Sequence, residues 1–250
     1  MVPDPVAEHR PWPAPTRPWL MRQTWHDLLF AHWPVETAAL RALVPPELAL
    51  DTFEGTAWLG VVPFWMTLRV RGLPALPGFH AFPELNVRTY VTAGGRPGVW
   101  FLSLDAGNAV AVAAARRWYH LPYFRARMRS RATDAGIVYA SDRVHPGAPD
   151  AAFHGTFRPV GPPLPARTGS LEHWLTERYC LYALSPRGEI LRGEVDHGPW
   201  PLQPAAAAIE RNTMAASHGL DLGGAPPLLH FAQLQTVRVW GIRPAGDADR

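Results

Sequence analysis

The chain has 250 residues, of which 47% are apolar and 11% aromatic, with 11 tryptophans and a formal net charge of only +3. That composition excludes a disordered or fibrous chain and leaves ample length for a buried core. All 24 cationic side chains are arginine, so a lysine Schiff base, a lysine general base and a lysine phosphate clamp are excluded.

Residues 1–20 hold Pro3, Pro5, Pro11, Pro13, Pro15 and Pro18 and no continuous apolar stretch. They read as a flexible arm and not as a signal peptide. Residues 21–244 read as one domain and 245–250 as a tail. Aromatic and β-branched runs between turn signals predict strands over 22–30, 57–70, 84–92, 98–105, 123–131, 136–143, 152–158, 179–184, 189–196 and 230–242. Turns at Ala93–Gly98 and Ser185–Gly188 predict two hairpins. Helices are expected from Val35 to Val44, from Ala106 to Tyr119, after the N-cap residue Ser170 to about Tyr179, and from Ala205 to His218. Strands joined by tight turns imply an α+β chain that is mainly antiparallel β.

Three stretches could carry chemistry. From Glu84 to Val91 the residues alternate, with Glu84, Asn86, Arg88 and Tyr90 on one side and Leu85, Val87, Thr89 and Val91 on the other. The polar side either meets water or, in a closed sheet, lines a cavity, where Glu84 becomes an acid or base if burial raises its pKa. His120 and Tyr123 flank the joint at Leu121-Pro122, where proline stops the helix. They either project into a pocket or serve as a capping histidine and a packed tyrosine. His197 and Trp200 sit in the rigid turn Asp196-His197-Gly198-Pro199-Trp200-Pro201, as a ligand-site wall or as pins for the turn.

Other templates fail. Neither His-Glu-x-x-His nor paired Cys-x-x-Cys is present, and no phosphate loop, dinucleotide fingerprint or Gly-x-Ser-x-Gly elbow occurs. Neither a metal nor a cofactor is expected. The lone Cys180 forms no intramolecular disulfide and reads as a buried, inert thiol, which fits a reduced, cytoplasmic setting. No apolar run approaches the ~20 residues needed to cross a bilayer. The arginine row at 125, 127, 129 and 131 reads first as a solvated face of a strand, with a nucleic-acid module ranked last.

Several segments together resemble the YqjF-like family of bacterial domains. They are Met21 to Pro34, Leu43-Val44-Pro45-Pro46-Glu47-Leu48, Trp58 to Phe64, Phe82 to Arg88, Leu121-Pro122-Tyr123-Phe124, His197 to Leu202 and Leu228-Leu229-His230-Phe231. That family is similar to the acetoacetate decarboxylase superfamily, and the resemblance implies a cone-shaped antiparallel β-barrel enclosing a cavity, with a few flanking helices. In the decarboxylases a Pro-Lys-Lys segment supplies the Schiff-base amine; the corresponding segment here is Pro122-Tyr123-Phe124. A barrel-strand glutamate of those enzymes matches Glu84.

These readings lead to an interior binding protein for a small organic carboxylate or carbonyl compound, without Schiff-base chemistry. Arg88 or Arg22 would hold the anion, Asn86 would hydrogen-bond it, and aromatic side chains such as Trp200 beside His197 would cover the rest. The alternative is an acid/base enzyme for enolisation or dehydration that uses Glu84 with Tyr123 or His120. No nucleic-acid or membrane partner is expected, and a homodimer is left open.

Overall fold

The computed structural model describes residues 9–74 and 80–246. Extended segments dominate, in keeping with the β-branched and aromatic runs. In chain order the elements are β1 (Met21–Val35), α1 (Thr37–Arg41), β2 (Ala49–Leu50), β3 (Ala57–Val70), β4 (Ala81–Ala93), β5 (Arg96–Ala106), α2 (Ala109–Trp118), β6 (Tyr123–Thr133) and β7 (Gly136–Arg143). They continue as β8 (Ala152–Pro159), α3 (Leu171–Thr176), β9 (Cys180–Leu184), β10 (Ile190–His197), β11 (Gln203–Asn212), β12 (Leu228–Val239) and β13 (Arg243–Pro244). The strands expected over 57–70 and 136–143 are β3 and β7. The hairpin turns form where expected, with Gly94, Gly95 and Gly188 at positive φ.

Helix α2 begins where Asn108 Oδ1 accepts the amides of Val110 and Ala111, and α3 begins where Ser170 Oγ accepts the amide of His173. The helix expected over 205–218 does not form. Its alanines lie in β11, paired with β8 from Ala205↔Pro159 to Asn212↔Phe153. Gly155 allows the close approach, since a Cβ there would meet the Ala208 carbonyl oxygen at 2.9 Å. Alanine's helix preference is worth only a few tenths of a kcal/mol per residue over most others, and strand pairing overrides it.

Among the described residues, thirteen strands join one sheet. Most neighbours are antiparallel, but β5 runs parallel to β6 and to β9. The extra pairings β4–β5 and β10–β12 close the sheet on itself, so that β1, β3, β4, β5, β9, β10 and β12 follow one another in a ring. The second lobe, β6, β7, β8 and β11, hangs between β5 and β12.

Strands β1, β3, β4 and β5 separate two interiors. On β3, Val62, Phe64 and Met66 face the ring, while Leu59 and Val61 join a packed core with Tyr139, Phe153 and Phe157. Two irregularities keep this parity in step. In β1 the register shifts between His26 and Ala31, and Asp27 sits at φ 49. Gln23 and Trp25 before the shift, and Leu28 after it, therefore all face the ring. In β5 the shift lies opposite Val87/Arg88, so Phe101 and Leu104 share one side.

Within the stretch expected as an arm, residues 9–20 run along the outside of the ring. Arg10 is buried there, where it reaches Glu194 at 3.2 Å and Asp196 at 3.0 Å and lies over the Tyr179 ring. Residues 1–8 of that arm and 247–250 of the tail lie outside the described residues. Among the described residues no helix is long and apolar enough to cross a membrane.

Candidate functional site

The ring encloses a cavity of about 800 Å³, walled by β1, β3, β4, β5, β9, β10 and α2. Its wall is mostly apolar, and the polar row of β4 faces it: Glu84, Asn86 and Arg88 all line it, as the inward alternative for that strand requires. Their intervening neighbours Leu85 and Val87 are fully buried in the packed core on the other side.

Glu84 pairs in register with Ala106, and Leu104 pairs with Tyr123, so Tyr123 stands across β5 from the glutamate. The Tyr123 hydroxyl donates to Glu84 Oε2 at 2.8 Å. From the packed side, the Tyr139 hydroxyl donates to the Glu84 backbone carbonyl at 2.7 Å and fixes the strand. Burial raises the Glu84 pKa to about 8, and the Tyr123 hydrogen bond counteracts this only in part. At neutral pH Glu84 is therefore a protonated acid, and burial with the adjacent Glu84 holds the Tyr123 phenol far above its ordinary range.

Arg88 lies four residues away, about 13 Å along the strand. Its guanidinium sits 5.1 Å from the Phe30 ring centroid and 5.8 Å from that of Tyr90. No carboxylate pairs with it among the described residues, and its Nε has no hydrogen-bond partner, nor do Asn86 Oδ1 and Trp200 Nε1. The nearby His32 is held neutral by burial and by Arg88.

A second guanidinium lines the same end of the cavity. Arg178 gives one Nη to Asp51 at 2.6 Å and its Nε to the Trp174 carbonyl at 2.7 Å, lies over Tyr90, and leaves Nη2 without a partner. Sequence reasoning missed this residue. It falls in the short loop between α3 and β9, where no alternation marks a facing, and only the structure brings it beside Tyr90.

His197 and Trp200 both line the cavity, and Trp200 stacks on Trp25 at 5.8 Å. The His197 ring nitrogens face the carbonyls of Gly198 and Arg178; burial lowers its pKa, and the neutral ring donates to one of the two and so also holds the turn. His120 is not brought to this site. It follows the C-cap Tyr119 at φ 52, and that left-handed turn directs it to a separate cleft with Pro122 and His218. Arg22 is also elsewhere, because its neighbours Met21 and Gln23 take the inward positions of β1 and it is exposed outside. Arg125, Arg127, Arg129 and Arg131 form an exposed row on β6. Among the described residues no group of three or more His, Cys, Asp or Glu is placed to hold a metal ion.

Comparison with known proteins shows the family and the fold of the chain. The family described as DUF2071, uncharacterized conserved protein, matches residues 22–236. The uncharacterized protein YqjF of Bacillus subtilis (strain 168) is 50% identical over 226 residues, which is 90% of this chain and 92% of that protein. Two solved structures share the fold at low identity. The enduracididine biosynthesis enzyme MppR complexed with pyruvate has a TM-score of 0.65 at 15% identity, covering 98% of this chain and 96% of that one. An acetoacetate decarboxylase-like enzyme from Sphingomonas wittichii RW1 has a TM-score of 0.64 at 14% identity, covering 91% and 93%.

Proposed function

Since this chain belongs to the DUF2071 family and carries the acetoacetate decarboxylase-like fold, we propose that it binds a small organic carboxylate or carbonyl compound inside the ring, without Schiff-base chemistry. One observation carries this reading: Arg88 is a buried cation that faces the cavity with no anionic partner among the described residues. An unpaired charge in an apolar cavity is strongly destabilising, and an anion from outside relieves it. With Glu84 protonated, the polar row carries a net positive charge at neutral pH. The free Nη2 of Arg178 and Oδ1 of Asn86 add a second donor and an acceptor.

Isothermal titration with pyruvate, butyrate and octanoate tests the reading. Binding of at least one, lost in Arg88→Met, is expected. No heat from any of the three at millimolar concentration would sink the proposal.

A second reading has its own support. Glu84, protonated near neutrality and 2.8 Å from the Tyr123 hydroxyl, is placed to give a proton to a carbonyl oxygen and take one from the adjacent carbon. Deuterium uptake from heavy water into a bound keto acid, abolished in Glu84→Gln while binding persists, is the expected signature. Equal uptake in the variant would leave binding alone.

A further inference from the structure

The cavity is far larger than a three- or four-carbon acid requires. At about 800 Å³ it sits near the top of the range of roughly 300–1,000 Å³ found for drug-sized ligands. Its two guanidinium groups, Arg88 and Arg178, lie at one end, while the uncharged Gln23 lines the wall toward the mouth. Along β4 the lining runs from Arg88 through Asn86 and Glu84 to Phe82, about 20 Å of strand. Past Phe82 the described part of the wall has no charged group. It opens on Leu20, Leu73, Val110 and Trp118, which line the cavity and are also 42%, 57%, 66% and 67% exposed.

Helix α2 forms one side of this mouth. Val110, Ala114 and Trp118 recur every fourth residue on the lining face, with Ala111 and Ala115 beside them. Alanines at the centre leave a shallow track, and the larger Val110 and Trp118 stand at its ends. A cluster of exposed apolar side chains around a hole is unusual for a surface with nothing to bind.

Building on the carboxylate reading above, we infer that the ligand is an amphipathic acid of the medium- or long-chain fatty type. Its carboxylate sits at Arg88 and Arg178, and its hydrocarbon chain runs past Glu84 and along the alanine track of α2 to the mouth. In this pose Glu84 and Tyr123 face the chain several bonds from the carboxylate. They would meet an oxygen function carried there.

A chain-length series measured by titration calorimetry below the micelle concentration tests this, using butyrate, octanoate, dodecanoate and dodecanol. Affinity should rise about fourfold per added methylene through most of the series, as burial of each CH₂ predicts. Dodecanol should bind at least tenfold more weakly than dodecanoate. Ala114→Trp, which blocks the track, and Val110→Asp, an exposed substitution that spares the fold, should each weaken dodecanoate at least tenfold and butyrate much less. A flat series with butyrate binding overturns the inference and leaves the carboxylate reading intact. Equal binding of dodecanol and dodecanoate overturns the anionic end, and with it the reading on which the inference rests. No binding by any of the four overturns both.

Discussion

Strand β4 turns Leu85 and Val87 toward a packed core and Glu84, Asn86 and Arg88 toward a cavity, so one backbone serves two interiors that differ in what they demand of a side chain. On the packed side, polar groups find one another: Arg143 Nε donates to Asp105 at 2.9 Å, and Ser103 meets His218 at 3.1 Å. On the hollow side, Arg88 Nε, Asn86 Oδ1 and Trp200 Nε1 are left without partners. On the packed side the buried guanidinium of Arg143 has a carboxylate partner, although Asp105 Oδ2, Arg143 Nη2 and Ser141 Oγ also lack hydrogen-bond partners. On the hollow side the Arg88 guanidinium has no carboxylate partner among the described residues, and a buried charge without one costs stability.

Four measurements test that contrast. The largest effect should come from Phe157→Ala on the packed side, which leaves a new void and costs about 3–5 kcal/mol in denaturant unfolding. Phe82→Ala on the cavity wall only enlarges a space that already exists and should cost less than half as much; equal costs would erase the distinction.

Next comes pH. Glu84 ionises in the unfolded chain above its ordinary 4.5 but stays protonated in the fold until about pH 8. Stability is therefore lost as pH rises from 4.5 to about 8 and levels off beyond. Burial of His218 lowers its pKa to about 4, which acts in the opposite sense, adding stability as pH rises from about 4 to 6.5. The difference between wild type and Glu84→Gln cancels such shared contributions. It should favour the variant progressively, on the order of a few kcal/mol by pH 8. A pH-independent difference would mean Glu84 is not buried as an acid.

Arg88→Met should weaken carboxylate binding by about 100-fold, roughly 2–3 kcal/mol, with the melting temperature unchanged or raised because an unpaired buried cation has been removed. A large fall in melting temperature would make Arg88 a structural residue. The smallest effect belongs to Tyr123→Phe. Losing its hydrogen bond, which favours the ionised carboxylate, should move the Glu84 titration upward by about one unit, visible by carbon-13 NMR of the carboxyl group. A downward move would reverse the assigned role of that bond.

Much of the hollow side was legible in the residues, because alternation from Glu84 to Val91 states which side chains share a face, and closure of the sheet turns that face inward. Tyr123 was legible as the residue after a helix-stopping proline, although its partner depends on the register of β5 with both neighbours. Arg178 and the free guanidinium atoms were not legible, since a loop residue has no periodicity to report its direction. His120 and Arg22 went astray for the same local reason: a left-handed backbone turn and the strand's parity set their directions, and residue type alone carries neither. The alanine run of β11 shows the remaining limit. Weak intrinsic preference yields to a partner strand that lies far away in sequence.

The irregularity at Asp27 bears on how such a chain can change over generations. Substitution on either face of β1 alters one interior at a time, so pocket chemistry can drift while the packed core is left alone. Loss or gain of a single residue near Asp27 would instead exchange the two interiors along half the strand, sending Gln23 and Trp25 into the packed side. Descendants of this sequence should therefore accept side-chain changes in β1 one face at a time, but length changes only in the connections outside it.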